Sequence, residues 1–431
     1  MVSLCRQSDI FSLWSDVDAV HIRSKIKITP LELLVLCAMR YLGRSWTIDD
    51  LEEATAINYE TIRLFIHKFI EFGSTELYEK YVNKPLTKEE MEDCQIEYLL
   101  AGFSGCIGST DASHIVTERC AYRLRQMHLG FKLAHTSRTY NMTVNHRRRI
   151  LSSTKGHPAR FNDKTLILFD TFMMELRRGV YDNKHSFSLY DHDDDGNVIS
   201  IKYNGCYVIV DNGYMSWSTT VPPMKESILR SEIRFSEWLE SLRKDVECTF
   251  GIMKKRWMIL KHGIRLHGIF KCDQVWLTCC ALHNLLLDVD NFNEVWGQDS
   301  QTSDNASFAV QRLNNPGTLG TCVRRDLSGN GMGDDCIRTR SRYIDRCSNN
   351  VPMRQNGDKP IIVNDLSMVD FRNRLVRHFN IAFKRNEVKW PKKRSEANTA
   401  VGVAGRTQER AEAAQARRMQ AHPGQQQDRR R

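Results

Sequence analysis

The hydrophobic pattern changes period along the chain, from helical to extended and back to helical. From Thr29 to Glu71 apolar residues recur three and four apart, which predicts three helices. Thr29-Pro30 caps a first helix over Leu31 to Arg40, and Thr47 with Asp50 three residues on caps a second that runs to Thr55. Ala56-Ile57-Asn58 makes a tight turn, and Tyr59 to Glu71 forms a third helix with Tyr59, Glu60, Arg63 and His67 facing outward. A short helix, a tight turn and a longer helix have the form of a helix-turn-helix, whose second helix enters the DNA major groove, and equally of a plain helical bundle. Pro85-Leu-Thr87 caps a linking helix from Lys88.

Beyond it the pattern becomes extended. Phe103 to Gly108 reads as a strand delivering Asp111 at or just after its end, and Tyr140 to Val144 and Arg149 to Ser152 read as neighbouring strands. A helix over about Asn162 to Arg177 follows. Tyr207-Val-Ile-Val210 is a buried strand with Asp211 at its C-terminal end and a turn at Gly213. From Phe235, apolar residues at Trp238, Leu239, Leu242, Val246, Phe250, Met253 and Trp257 mark one helical face, and Glu247 lies about 100° round from Val246 at its edge. Strands followed by helices over this span predict a mixed α/β sheet. The acidic loop from Asp191 to Gly196 has oxygens at the first, third and fifth positions of a calcium loop, but Lys202 replaces the glutamate at the twelfth, so a β-hairpin turn is expected. Gln274 to Leu287 reads as a packed apolar helix; Cys280 and His283 share a face, yet no second pair follows at zinc-finger spacing.

The expected organisation is an N-terminal helical domain over 1–100, a catalytic core over 101–290, a linker or insertion over 291–360, an amphipathic helix and basic segment over 361–395, and a basic low-complexity tail over 396–431. The longest nearly uncharged apolar run, Val275 to Leu287, falls short of the roughly 18 residues a membrane helix needs, so no membrane partner is expected. The N-terminus lacks the succession of a secretory signal, which makes the 13 cysteines reduced thiols rather than a disulfide framework. A formal charge of +10 favours an anionic partner, with nucleic acid first. The basic clusters Lys389 to Arg394 and Arg429 to Arg431 read as a nuclear localisation signal, an arm on DNA or a solubilising end.

Taken singly, Asp211 is a capping residue and Glu247 a solvated one. Taken with Asp111, they make three acids on two strands and a helix, a set suited to two divalent cations about 4 Å apart in phosphoryl transfer. The sequence here resembles the PIF/Harbinger transposases and the nucleases descended from them. Gly108-Ser-Thr-Asp111-Ala-Ser-His114-Ile115 is similar to the family's first-acid motif, Val210-Asp211-Asn-Gly213-Tyr214 to the second, and Arg243-Lys-Asp-Val-Glu247-Cys-Thr-Phe250-Gly251 with Lys254 to Trp257 to the third. Asn141 to Asn145 and Gly156 to Asp163 resemble its middle segments, though an aromatic and a second glycine often found there are missing.

The resemblance implies an RNase H-like core preceded by a helix-turn-helix, and a DDE endonuclease or transposase that cuts DNA and joins the freed end to a target. Asp111, Asp211 and Glu247 would bind Mg2+ or Mn2+, as two ions. Lys254, Lys255 and Arg256 would follow the DNA backbone, and Arg63 and His67 would face DNA from the second helix of the helix-turn-helix, the one that enters the major groove. His114 would touch a carboxylate or the phosphate, or cap the strand end. Gly251 would let DNA or another backbone approach. The family further suggests a nuclear setting and a Myb-like partner protein, and is compatible with a homo-oligomer. The competing reading is a domesticated DNA-binding or adaptor protein without catalysis.

Overall fold

The computed structural model describes residues 1–15, 29–130, 134–289 and 360–388. The expectations for the linker and the basic tail lie outside them. Two short helices, α1 (Val2–Arg6) and α2 (Ser12–Ser15), precede three longer ones, α3 (Leu31–Arg44), α4 (Ile48–Thr55) and α5 (Tyr59–Phe72). The capping box at the start of α4 forms: the Asp50 amide donates to Thr47 Oγ1 and the Thr47 amide to Asp50 Oδ2. Ala56 takes the left-handed conformation that ends α4, and Asn58 caps α5, so the turn between them is three residues long. Helix α5 buries Ile62, Phe65, Ile66, Phe69 and Ile70, whereas Leu64 is exposed.

A short helix, α6 (Tyr78–Tyr81), and a longer one, α7 (Lys88–Leu100), follow, the latter with its own capping box between Thr87 and Glu90. The central sheet comprises β1 (Cys106–Val116), β2 (Ser137–Val144), β3 (Ile150–Ser153), β4 (His157–Pro158), β7 (Tyr207–Ile209) and β8 (Thr220–Val221), in the order β3-β2-β1-β7-β8 with β4 paired to β2. The first three strands are antiparallel, and β7 and β8 run parallel to β1. Between β1 and β2 lies a short helix, α8 (Arg125–His128). The expected short strand ending before Asp111 is in fact eleven residues long, because β2 pairs with β1 all the way to Val116. Asp111 is therefore within a strand rather than beyond one.

The expected single helix over 162–177 is broken into α9 (Asp163–Leu166) and α10 (Thr171–Arg177) by a 3-10 turn and Asp170. The buried Asp170 side chain accepts from the Phe172 and Met173 amides, starting a new helix where periodicity suggested continuation. Strands β5 (Ser186–His192) and β6 (Val198–Asn204) form the expected antiparallel hairpin around the acidic turn. Helix α11 (Arg230–Arg256) begins five residues before the apolar stripe and ends just before Trp257. It is followed by α12 (Met258–His262) and α13 (Ile269–Val289).

Buried side chains of α3 and α5 share one apolar cluster with β1, β2 and α11 to α13. Within it Trp276 stacks on Tyr140 with ring centroids 4.6 Å apart. Cys279 and Cys280 are buried in α13, and His283 donates to the Arg148 carbonyl, which fits a packed helix. After the undescribed segment, β9 (Ile361–Ile362) pairs with β6, and α14 (Met368–Lys384) packs Phe379 against Phe235 and Trp238 of α11. The described residues from 1–293 and 334–389 form one compact unit; the second unit, 294–333 and 390–431, lies outside the described residues.

Candidate active site

The β1–β7 register brings the first two acids together. The last parallel pair is Ser109 with Ile209, and Asp111 and Asp211 each lie two residues further along their chains. Two residues restore the same side of a strand, so both carboxylates leave the sheet on one face where β7 stops. This is the carboxyl end of the parallel strands, where a departing chain opens a crevice in α/β sheets.

The third acid comes from α11. Glu247 turns off the buried stripe, its side chain 46% exposed, and Arg243 one turn earlier links it to the sheet. One guanidinium lies 2.9 Å from Glu247 Oε1, 3.1 Å from Glu240 Oε2 and 3.7 Å from Asp111 Oδ2. Asp111 and Glu247 thus lie on either side of one guanidinium. Burial works against the charge on Arg243, but Glu240, Glu247 and Asp111 outweigh it and hold its pKa above the usual value.

A fourth acid, absent from the sequence-based triad, lies near Asp211. A methyl group at Gly213 would stand 2.8 Å from both Asp163 Oδ2 and Asp211 Oδ1, so these two carboxylates converge on a space only glycine leaves open. Asp163 begins α9, and it stands in the middle segment Gly156 to Asp163 singled out by the family resemblance. Nothing in periodicity or spacing set it apart from an ordinary first-turn acid of a helix. Burial pushes the Asp111 carboxyl up to about 6; its bond from the Ala112 amide and Arg243 pull the other way, while Asp211 and Asp163 add to the rise.

Buried polar contacts hold this arrangement. The Tyr214 hydroxyl donates to Asn141 Oδ1 at 2.7 Å, and Asn141 Nδ2 donates to Asp170 Oδ2 at 2.6 Å. Asn141 pairs across the sheet with Ala112, next to Asp111. The loop carrying Asp211 is thereby tied to β2 and to the start of α10. On α11, Asp245 is fully buried with His146 Nδ1 2.7 Å from its carboxylate, fixing the helix two residues before Glu247.

The expected DNA contacts fall into different places. Lys255 is exposed and Arg256 half-buried. Lys254 is half-buried and donates to Ser113 Oγ at 2.8 Å and to the His114 carbonyl at 3.2 Å, so it clamps α11 to β1 rather than lying free along a phosphate path. His114 meets Thr139 Oγ1 through Nδ1, on the face of β1 opposite Asp111. Arg63 is paired with Glu60 on its own helix. His67, expected outward, is half-buried with Nδ1 enclosed, and burial with the nearby Lys271 and Arg63 lowers its pKa; packing of α5 on α13 explains the difference. Gly251 has open space around it. Beside the acids an open groove of about 570 Å³ runs between Asn212 to Lys225 and the Glu240 and Lys244 face of α11.

The donor set, carboxylate oxygens alone, suits a hard divalent cation. The cation already lodged among Asp111, Glu240 and Glu247 shows that these residues accommodate positive charge. Among the described residues, though, no three acids, histidines or cysteines are drawn close enough to chelate an ion together. Glu247 is held back by Arg243.

Comparison with known proteins finds a family similar to the segment that carries these residues. Residues 110–284 match the model of the DDE superfamily endonucleases, a span containing Asp111, Asp163, Asp211 and Glu247. The chain is also 20% identical over 260 residues to the protein ALP1-like of Arabidopsis thaliana, covering 60% of this chain and 61% of that relative. The chain thus spans less than two thirds of the curated relative it matches. No solved structure matches the chain. Two aspartates brought side by side by strand register and a glutamate on the helix across from them thus lie within the span, residues 110–284, that is similar to the DDE superfamily endonuclease domain.

Proposed function

We propose that this domain is a divalent-metal-dependent DNA endonuclease that hydrolyses a phosphodiester bond and, with the freed 3′-hydroxyl, carries out strand transfer. The observation that carries the proposal is the side-by-side placement of Asp111 and Asp211 beyond the Ser109–Ile209 pair, with Glu247 facing Asp111 across Arg243. The sheet order, three antiparallel strands followed by two parallel ones, supports an RNase H-like core.

In this reading Asp111, Asp211 and Glu247 hold magnesium or manganese, with Asp163 beside them. Bound by these carboxylates, divalent metal would supply an activated attacking oxygen and would stabilise the leaving one. Arg243 lies among Asp111, Glu240 and Glu247 and offsets their charge. Lys244 and Lys255, exposed on the same helix, meet backbone phosphates without reading sequence. Helix α5 is the proposed groove-reading helix, yet its exposed cations are matched by acids of the same helix, Arg63 by Glu60 and Lys68 by Glu71. The isolated chain accordingly binds duplex DNA weakly, and a Myb-like partner supplies recognition in the nucleus. Self-association remains compatible with this scheme.

A second reading, a DNA-binding or adaptor protein that does not cut, is favoured by the Arg243 pairing and the spread of the acids. Manganese titration separates the two. On the endonuclease reading manganese raises the melting temperature of the purified chain, and Asp111→Asn or Asp211→Asn abolishes the rise. An unchanged melting temperature in the native chain supports the non-cutting reading.

A further inference from the structure

Three rings, of His157, Phe161 and Phe169, stand partly uncovered on the segments flanking Asp163. Phe161 stacks on His157 with centroids 6.3 Å apart and planes 18° apart, and on Phe169 at 5.9 Å and 17°. His157 and Phe169 touch at 4.9 Å. Phe169 is 52% exposed and its neighbour Leu168 is 47% exposed. A phenylalanine left half in water forgoes much of its burial free energy, so the fold alone does not explain this surface. The rings are held by short, well-anchored pieces: His157 by pairing of β4 with Thr139, Phe161 by its position just before the Asn162 cap of α9, and Phe169 by the turn that ends at Asp170.

The surroundings are cationic and lead to the acids. Arg160 and Lys164 are exposed on either side of Phe161 and Asn162, and Lys155 is exposed just upstream. Asp163, between Asn162 and Lys164, reaches the space at Gly213 that Asp211 also borders. A flat apolar face, flanking positive charge and continuity with the candidate active site together suit one occupant: an unpaired nucleobase whose phosphates meet the cations. Bases stack on aromatic faces without regard to sequence, whereas in duplex DNA their faces are already covered by neighbours.

We infer that the Phe161–Phe169–His157 shelf receives an unstacked base of the DNA strand next to the phosphate held at the acid cluster. This rests on the endonuclease reading. A base held here fixes the strand so that its neighbouring phosphate reaches Asp111 and Asp211, giving the domain a preference for frayed or single-stranded ends over closed duplex.

The test measures binding of the full chain to a single-stranded oligonucleotide and to a closed hairpin duplex of the same length, with chelator present so that nothing is cut. Phe169→Ala is expected to weaken single-strand binding roughly fivefold to a hundredfold, the loss of one base–aromatic stack, while duplex binding changes less than about twofold. Phe169→Trp restores single-strand binding, and neither substitution changes the salt dependence, which counts phosphate contacts. Equal losses on both DNAs, no loss on either, or a change in self-association with single-strand binding intact each overturn the inference. The manganese-induced rise in melting temperature is measured on the same variants. If Phe169→Ala keeps that rise and also keeps single-strand affinity, the shelf proposal fails while the endonuclease reading stands; if the native chain shows no rise, that reading fails by itself.

Discussion

At the scale of single residues, the site depends on what is missing from one position. Gly213 leaves open the space between Asp163 and Asp211, and its φ is not in the left-handed region, so alanine fits the backbone but not the space. Gly213→Ala is expected to keep the fold and lose most of the manganese-induced stabilisation, read as the shift in melting temperature; an unaltered shift would remove Asp163 from the site. Arg243 plays the converse part, filling with its own charge the space between Asp111 and Glu247. Arg243→Gln leaves the carboxylates repelling one another, so the metal-free protein melts lower and gains more from manganese than the native chain does. A variant that melts lower without the larger gain would make Arg243 a purely structural residue. Asp111, Asp211 and Glu247 stood out in the sequence because a recognisable motif surrounds each, although Asp111 lies within β1 rather than at the strand end its motif suggested. Asp163 and Arg243 also stand in motif segments, but nothing in the sequence assigned them a role, because their contacts with the other acids are made across the fold.

At the scale of elements, capping residues were the most readable signals. Thr47 with Asp50 and Thr87 with Glu90 both form the reciprocal bonds their spacing announces. Thr47→Ala should cost about 1 kcal/mol of stability, seen as a lower denaturant midpoint at unchanged slope; no change would mean the N-terminal helices contribute little to the cooperative unit. Strand length was misread for a physical reason: the polar run Ser109 to His114 lacks alternation, and only its partner β2 keeps it extended. The helix over 162–177 was read as continuous because Asp170 looks like an exposed polar position, whereas buried it starts a new helix. Helix α5 shows the limit of pattern reading for function. Its outward face is as expected at Glu60 and Arg63, but the charges are paired within the helix. Glu60→Gln releases Arg63 and is expected to strengthen duplex binding and steepen its salt dependence by about one phosphate contact. Unaltered binding would exclude this face from DNA.

At the scale of the whole molecule, helices from the N-terminal region and those following the third acid close one apolar cluster against the sheet, so the site is framed by parts distant in sequence. Buried histidines tie that packing to pH. His185, His283 and His378 are each pushed down from 6.5 to about 4 by burial, with Arg256, Arg149 and Arg148 adding to the effect at His283. Neutral in the fold and protonated in the unfolded chain, they contribute stability that is present above 6.5 and lost as pH falls toward 4. The His378→Gln chain should therefore lose less melting temperature between pH of about 7 and about 5 than the native chain does; an equal loss would mean His378 does not titrate on unfolding. The central claim concerns the acids. Magnesium- or manganese-dependent nicking of supercoiled DNA by the purified chain tests it most directly: the native protein is expected to nick, and Asp111→Asn, Asp211→Asn and Glu247→Gln each to reduce the rate at least about a hundredfold, whereas nicking that survives all three substitutions, or its absence from the native protein with either metal, would contradict it.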